Sequence, residues 1–233
     1  MSKASWNRLT RDVKNCTQCP RLIKHCQKVA KEKRKAYLDD TYWGKPVPDF
    51  GGPSVGLLVV GLAPGAHGAN RTGRMFTGDR SGDWLYRAMH KFGFANQPDS
   101  TSRDDGLELI NAAITNICRC APPDNKPNKD ELLNCQPYFS RTLMHCNPVV
   151  ILALGSLAWR ATIKLLIEHE WMDAPKPIPK FAHGASVKLN EGRWLLGSYH
   201  PSQQNTFTGR LTQPMFDSVF RKSKSLIKKS DRE

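Results

Sequence analysis

Two polar, glycine-rich segments each stand directly behind an apolar run, and this pairing constrains the fold more than any other feature. The first loop, residues 61–79, follows the apolar run 56–61, and the second loop, residues 200–210, follows the run 194–199. Short apolar runs bounded by turn residues are typical of buried strands. Ligands bind in open α/β sheets at the carboxyl ends of the strands. We therefore expect the two loops to form the two halves of one site.

Two further apolar runs, residues 109–117 and 149–154, alternate with helical patterns. Four helices are predicted. The first covers Asp83 to Phe92, and the second begins after Asn128, whose cap Glu131 completes. The third runs from Leu157 to Glu168 with Ser156 as its cap, and the fourth covers Met215 to Ile227. Pro137 is expected to kink or interrupt the second of these helices. The alternation predicts an α/β fold, a three-layer α/β/α sandwich with a central, mainly parallel sheet of about four strands.

The chain length of 233 residues is enough for one substantial α/β core, and we expect a single domain over residues 1–233. Residues 1–52 form its predicted N-terminal segment, helical and irregular, and residues 39–53 are an irregular lead into the first strand. Residues 173–180 are predicted to form a loop, and residues 225–233 are predicted to form a flexible tail.

The net charge of +14 predicts attraction to polyanions, of which nucleic acid is the commonest. A solubilising surface is the alternative reading of the same charge. No apolar run approaches the ~20 residues that span a bilayer, and the first residues lack the apolar core of a secretory signal. These features predict a cytoplasmic protein.

The seven cysteines cannot all pair, and a reducing compartment disfavours disulfides. Cys16 and Cys19 have the two-residue spacing that lets two thiolates reach one metal centre. Cys118, Cys120 and Cys135 follow later in the chain. The spacing suits an iron–sulfur cluster or a structural zinc ion equally.

The two loops resemble those of the uracil-DNA glycosylase superfamily, and within it the iron–sulfur branch called family 5, or type B. The resemblance rests on the Gly-x-Ala-Pro-Gly run from Gly61 to Gly65, the Phe-x-Gly block at Phe76, and the His-Pro-Ser opening at His200. Family 4 usually has Glu where Leu62 stands, and the extension from His67 to Gly73 is typical of family 5. The resemblance spans roughly residues 16–210.

Membership would imply a monomeric DNA repair glycosylase that flips a uracil out of the duplex and hydrolyses its N-glycosidic bond, leaving an abasic site. The partner would be DNA that contains uracil or other deaminated bases, and the enzyme would be associated with the nucleoid. Leu62 and the family 5 loop imply a broader range, including hypoxanthine, xanthine or modified pyrimidines.

The resemblance assigns catalysis to His200, which would hydrogen-bond the carbonyl of the departing base as a neutral donor. Because Leu62 cannot act as a carboxylate, we expect Asp79 to position water or to stabilise the cationic sugar. Alternatively, Asp79 caps the helix that begins near Ser81. His67 and Asn70 could order the water instead.

The remaining predicted site residues bind either the base or the DNA. Phe76 would stack on the base unless it only packs in the core, and Asn116 would read the base edge with its amide. The base-binding set is Gly61, Ala63, Gly65, Phe76 and Asn116. The DNA-binding set is Asn70, Arg71, Arg74, Ser202, Gln203, Asn205 and Arg210, with Gln204 beside them in the second loop.

The resemblance also assigns the metal ligands of a 4Fe-4S cluster to Cys16, Cys19, Cys120 and Cys135. Cys118 could replace Cys120, and Cys26 and Cys146 are expected to be small buried residues. Such a cluster would tie the amino terminus to the rest of the fold.

Two other functions fit parts of the sequence. A non-catalytic, cysteine-metal DNA-binding module would explain the charge and the cysteines but leaves the His200 loop without a role. A phosphate-handling α/β protein would use the glycine-rich loop as an anion cradle, yet no Gly-Lys-Ser/Thr follows that loop.

Overall fold

A six-stranded sheet forms the centre of the fold in the computed structural model, which describes residues 3–175 and 177–230. The strands are β1 (Phe50–Gly51), β2 (Leu57–Gly61), β3 (Ala112–Asn116), β4 (Val150–Leu154), β5 (Ser186–Lys188) and β6 (Trp194–Ser198). Their order is β1-β3-β2-β4-β6-β5. β3, β2, β4 and β6 are parallel neighbours, whereas β1 and β5 are antiparallel edge strands.

The four parallel strands are the four predicted from the apolar runs, which confirms a mainly parallel sheet. The prediction missed both edge strands. β1 lies inside the segment 39–53 that we expected to be irregular throughout. Strands of two and three residues are too short to show an alternating pattern in the sequence.

Eight α-helices surround the sheet within the described residues: α1 (Lys3–Lys14), α2 (Pro20–Glu32), α3 (Ala69–Thr72), α4 (Arg80–Lys91), α5 (Lys129–Cys146), α6 (Ser156–Glu168), α7 (Gln203–Phe207) and α8 (Gln213–Ser230). The capping box of Asn128 and Glu131 at the start of α5 is present as predicted. Three helical details differ. Pro137 lies inside a continuous α5, Ser156 is the first residue of α6 after a Gly155 cap, and residues 225–230 continue α8. The predicted tail at 231–233 lies outside the described residues.

Alternate side chains of the central strands pack on opposite faces of the sheet. Leu57 and Val59 of β2 join one apolar cluster, to which α4 and α8 contribute, and Leu58 and Val60 join another, to which α1, α5 and α6 contribute. Both faces are therefore covered, as parallel sheets require. This is the predicted three-layer sandwich.

A buried ion pair between Asp49 and Arg119 connects the segment before β2 to the core. The two side chains are each 2% exposed. Thr142 of α5 accepts from Arg119 Nη2 at 2.7 Å and donates to Asp49 Oδ2 at 2.8 Å. Removing one partner of such a network leaves an uncompensated buried charge. Among the described helices, none combines the length and the apolar character that crossing a membrane requires.

Candidate active site at the carboxyl ends of the parallel strands

Gly61 and Asn116 are paired residues at the carboxyl ends of β2 and β3. Asn116 is 1% exposed, and its Nδ2 donates to Met75 Sδ at 3.0 Å. Its Oδ1 is buried and has no hydrogen-bond partner among the described residues. Because buried polar atoms are nearly always paired, this oxygen is available to accept a hydrogen bond from water or from a bound molecule. A Cβ on Gly61 would collide with this oxygen.

Phe76 lies across from this amide with its backbone in the left-handed region, at φ +52°. Non-glycine residues in this region cost free energy and cluster at functional sites. A Cβ on Gly61 would also lie 2.9 Å from Phe76 Cζ, so glycine permits the ring to approach the strand end. The ring is 7% exposed and joins the apolar core, so it is both a core residue and a wall of the site.

His200 follows β6 and brings the second loop to the first. Its ring centroid lies 5.7 Å from that of Phe76, with 30° between the ring planes. Although the residue keeps some exposed surface, protein atoms surround the imidazole, and this desolvation lowers its pKa to about 4. The ring is therefore neutral at pH 7. Gly61, Phe76, Asn116 and His200 thus lie together at this edge of the sheet, and we call the four residues the base pocket after the role that the resemblance implies for them.

Asp79 closes the first loop and starts α4. Its Oδ1 accepts from the backbone amide of Gly82 at 3.0 Å, which makes it the N-cap of the helix. Its Oδ2 faces the backbone of Gly65 and Gly68: a Cβ on Gly65 would lie 3.1 Å from that oxygen, and a Cβ on Gly68 would overlap it. Burial raises the pKa of Asp79, against the lowering effect of the amides of Gly82 and Ser81.

Three predicted DNA contacts of the first loop are engaged inside the protein. Asn70 is fully buried, and its Nδ2 donates to the backbone oxygens of Cys26 and Ala66. Arg71 donates to Asp40 and to the carbonyls of His67 and Gly78.

Arg74 is 4% exposed and forms a bidentate pair with Asp105 at 2.8 and 2.7 Å. Its guanidinium also donates to Ser100 and Thr77. This arrangement favours a structural role for all three side chains over the predicted contacts with DNA.

Among the other predicted residues, Ala63 packs toward the cysteines, and Gly65 accepts from the amide of Asn70 at 3.0 Å. His67, the alternative water ligand, hydrogen-bonds Tyr42 through Nδ1 at 3.0 Å. These contacts hold the first loop in a compact turn.

The second loop presents its polar side chains to solvent. Ser202 caps α7 by accepting from the amide of Asn205 at 3.4 Å, and Asn205 Nδ2 donates to the carbonyl of His200 at 2.8 Å. Gln203 and Gln204 are exposed, and the exposed Arg210 guanidinium lies 4.7 Å from the ring centroid of Tyr199. Asn205 thus positions the backbone that carries His200.

Two residues at this surface were not predicted. Phe207, at the end of α7, is 68% exposed, and the Arg80 guanidinium lies 5.1 Å from its ring centroid. An aromatic residue in an otherwise polar loop was the available signal for Phe207. The approach of Arg80 depends on tertiary packing and left no trace in the sequence.

Five cysteines gather behind the first loop in what we call the thiol cluster: Cys19, Cys26, Cys118, Cys120 and Cys135. The amide of Cys118 donates to the carbonyl of Leu62 at 2.9 Å, so the cluster directly supports the first loop. Cys16 lies outside this group, beside Tyr138. Burial is the main cause that raises the pKa of the Tyr138 hydroxyl, and the hydrogen bond with the Cys16 thiol raises it further. All the cysteines are free.

The thiols are arranged in pairs, with Cys118 beside Cys135 and Cys26 beside Cys120. The hydrogen bond from Cys118 lowers the pKa of Cys135 to about 7. In the described conformation, no three Cys, His, Asp or Glu side chains within residues 3–175 and 177–230 surround one metal position. Cys146 lies apart from this group, and its thiol approaches the carbonyl of Gly52 at 3.8 Å.

Comparison with known proteins shows which family the sequence matches. Residues 48–224 match the family described as "Uracil DNA glycosylase superfamily". The chain is 48% identical over 213 residues to the "Type-5 uracil-DNA glycosylase" of Mycobacterium tuberculosis (strain CDC 1551 / Oshkosh), covering 91% of this chain and 78% of that one. It is 47% identical to a protein of the same name from Mycobacterium leprae (strain TN) over 94% of both chains. A third, from Thermus thermophilus, is 45% identical over 91% of this chain and 93% of its own.

Proposed function

The chain belongs to the uracil-DNA glycosylase superfamily, and we propose that it hydrolyses the N-glycosidic bond of uracil in DNA and leaves an abasic site. The observation that carries this proposal is the orphaned Oδ1 of Asn116, which is grouped with Phe76 and His200 at the carboxyl ends of the parallel strands. Uracil presents an N3–H donor to such an oxygen. The residue types in the pocket therefore match the edge and the face of this base.

His200 stabilises the departing base in this proposal. Breaking the N-glycosidic bond leaves negative charge on the base, and a donor aimed at its carbonyl oxygen stabilises that charge most in the transition state. The neutral imidazole keeps a proton to donate at pH 7 without burying a cation. Asn205 holds the backbone of His200 in place through its carbonyl.

Asp79 acts on the sugar side of the reaction. Its Oδ1 is held by the Gly82 amide, which leaves Oδ2 to accept a hydrogen bond from the attacking water or to stabilise the oxocarbenium-like sugar. His67 is the alternative for ordering this water, although its Nδ1 already engages Tyr42. The raised pKa of Asp79 suits a group that takes up a proton from water.

Base flipping needs a surface that enters the duplex and fills the gap. The exposed side chains of the second loop, Gln203, Gln204, Phe207 and Arg210, form this surface. Phe207 offers a stacking face, worth about 1–3 kcal/mol per base in single-strand binding systems. Arg80 and Arg210 supply charge beside it, in place of the internally engaged Arg71 and Arg74.

The thiol cluster, together with Cys16 beside it, binds an iron–sulfur centre of the 4Fe-4S type in this proposal. Its ligands are Cys16, Cys19, Cys120 and Cys135, with Cys118 as the alternative to Cys120. Such a cluster takes one thiolate at each of its four irons, so its ligands need not surround a single position as those of zinc do. Several thiols buried together without a disulfide fit this donor set. Bound there, the cluster would supply structural support to the first loop.

The remaining parts of the proposal follow from the family 5 features. Leu62 replaces a carboxylate, and we infer that hypoxanthine, xanthine and modified pyrimidines are also substrates. The protein acts as a monomer and a single domain, in the cytoplasm at the nucleoid. A non-catalytic cysteine-metal DNA-binding module remains the rival function.

The test is release of the base from duplexes that carry one uracil or one hypoxanthine, assayed in EDTA and followed by alkaline cleavage of the abasic site. Cleavage of both supports a broad-range glycosylase that needs no added metal ion. Cleavage of uracil alone supports the reaction and rejects the broad range. Tight DNA binding without cleavage of either duplex would favour the non-catalytic module.

A further inference from the structure

A concave surface lies outside the base pocket. It is a cavity of about 480 Å³ between α1, β1 and residues 103–109, and none of Gly61, Phe76, Asn116 or His200 lines it. Its aromatic wall comes from Trp6, Trp43 and Phe50, and its polar rim includes Lys14 and Arg103. We call it the Trp43 cavity. Its volume is in the range of small-ligand sites, about 300–1,000 Å³.

Three cations converge on the indole of Trp43. Lys14 Nζ, Lys45 Nζ and the Arg103 guanidinium lie 5.7, 4.2 and 4.1 Å from its ring centroid. Within residues 3–175 and 177–230, none of the three forms an ion pair; Arg103 donates to the carbonyl of Thr72 instead. Since all three lie within 5.7 Å of one centroid, no two of them are more than about 10 Å apart. Like charges in this range repel, and contact with one ring offsets only part of that cost. A bound anion would remove the repulsion.

The positive surface continues beyond the cavity. A second cavity of about 400 Å³ shares Thr10 and Lys14 with it and adds Arg11 and Lys45, with no acidic residue in its lining. Of the two carboxylates in the Trp43 cavity, Asp49 is engaged by Arg119 and Thr142. Glu108, the other one, is exposed and could accept hydrogen bonds from a base.

From this geometry we propose that the Trp43 cavity binds a nucleotide, with its phosphate among Lys14, Lys45 and Arg103 and its base against the aromatic wall. A cationic rim beside aromatic rings is the arrangement by which proteins hold single nucleotides of a strand. The nucleotide could belong to a DNA strand outside the damaged position, or it could be a free nucleoside monophosphate. This site is separate from the base pocket and does not depend on the proposed reaction.

The test follows the indole N–H resonance of Trp43, assigned with a Trp43→Phe variant, during titration of the full chain. The three probes are dAMP, a single-stranded hexanucleotide without uracil, and inorganic phosphate. We expect a saturable shift with dAMP or the hexanucleotide, weakened about tenfold or more in a Lys14→Glu/Lys45→Glu double variant, since each lost phosphate contact removes a salt-dependent charge interaction. Lys188→Glu is the control for the non-specific effect of one reversed charge, because exposed Lys188 lies on β5 at the opposite edge of the sheet.

A response to the hexanucleotide but not to dAMP assigns the site to a DNA strand. A dAMP response that the hexanucleotide does not compete away assigns it to a free nucleotide. No response to either probe, or an equal response to inorganic phosphate alone, would overturn the proposal. If Trp43→Phe does not fold, the affinity for the hexanucleotide is measured by fluorescence anisotropy instead. Loss of affinity in the double variant but not in Lys188→Glu would then support the proposal, and equal affinity in both variants would overturn it. No uracil is present, so failure here leaves the glycosylase proposal untouched.

Discussion

Asp79 faces Gly65 across the first loop, so that a Cβ on Gly65 would lie 3.1 Å from Asp79 Oδ2. The other carboxylate oxygen caps α4 through the amide of Gly82. The two interpretations of this residue, helix cap and catalytic carboxylate, therefore apply to different oxygens of one side chain. Substitutions that preserve one role and remove the other can separate them.

Asp79→Asn keeps an oxygen for the cap but removes the charge. We expect single-turnover uracil release to fall by about a hundredfold, the usual scale for a positioned acid–base group, with little change in the free energy of unfolding. Asp79→Ala should lose the same activity and also about 1 kcal/mol of stability, because the cap is gone. Rate measurements and urea unfolding check both. An Asp79→Asn variant with the wild-type rate would leave Asp79 as a cap only.

Gly61→Ala should close the base pocket. The new Cβ would overlap Asn116 Oδ1 and lie 2.9 Å from Phe76 Cζ, both on the proposed base-binding surface. We expect a large loss of uracil release and a stability cost of about 1–3 kcal/mol from overpacking. Gly52→Ala is the matched control, since a Cβ there meets nothing within 4 Å. Retained activity in Gly61→Ala would place the base elsewhere.

Phe207→Ala should weaken binding to lesion DNA without affecting folding, because the ring is 68% exposed. A lost stacking contact of about 1–3 kcal/mol corresponds to a complex about 5- to 150-fold weaker. The fluorescence of 2-aminopurine placed beside the uracil reports base flipping directly. Ile110→Ala is the control, because that residue is 50% exposed and precedes the amino end of β3, away from the carboxyl ends of the strands. Equal flipping by wild type and Phe207→Ala would remove Phe207 from the wedge.

The iron content of cysteine variants, measured instead of their activity, should distinguish cluster ligands from cysteines that are only buried. Cys135→Ala is expected to lose iron and the absorbance of the cluster, whereas Cys146→Ala should retain both, because Cys146 lies outside the thiol cluster. Comparing Cys118→Ser with Cys120→Ser decides which thiol is the ligand. Full iron in Cys135→Ala would refute the ligand assignment, and zinc in the purified wild type would refute the cluster.

The sequence predicted the parts of the fold that depend on local pattern. The apolar runs predicted the four parallel strands, and the spacing of Asn128 and Glu131 predicted the start of α5. The edge strands β1 and β5 are two and three residues long and leave no periodicity to read. The burial of Arg74 depends on Asp105, which lies 31 positions away. A sequence motif shows that an arginine is present but not which partner neutralises it.

His200 provides the most direct test of the account. Because burial lowers its pKa to about 4, the imidazole should remain neutral over the whole range above that value. The unfolded chain, with a His pKa near 6.5, binds more protons between these two values. Stability should therefore fall as pH decreases through this window, and His200→Gln should show a smaller fall.

The decisive measurement is single-turnover release of uracil by wild type and His200→Gln between about pH 5 and 9, with DNA affinity measured in parallel. We predict a variant about a hundredfold slower or more, the scale for losing a donor to developing charge, with DNA affinity retained. The wild-type profile should show no inflection near pH 6.5 from this residue. A variant that releases uracil at the wild-type rate would contradict the leaving-group role of His200.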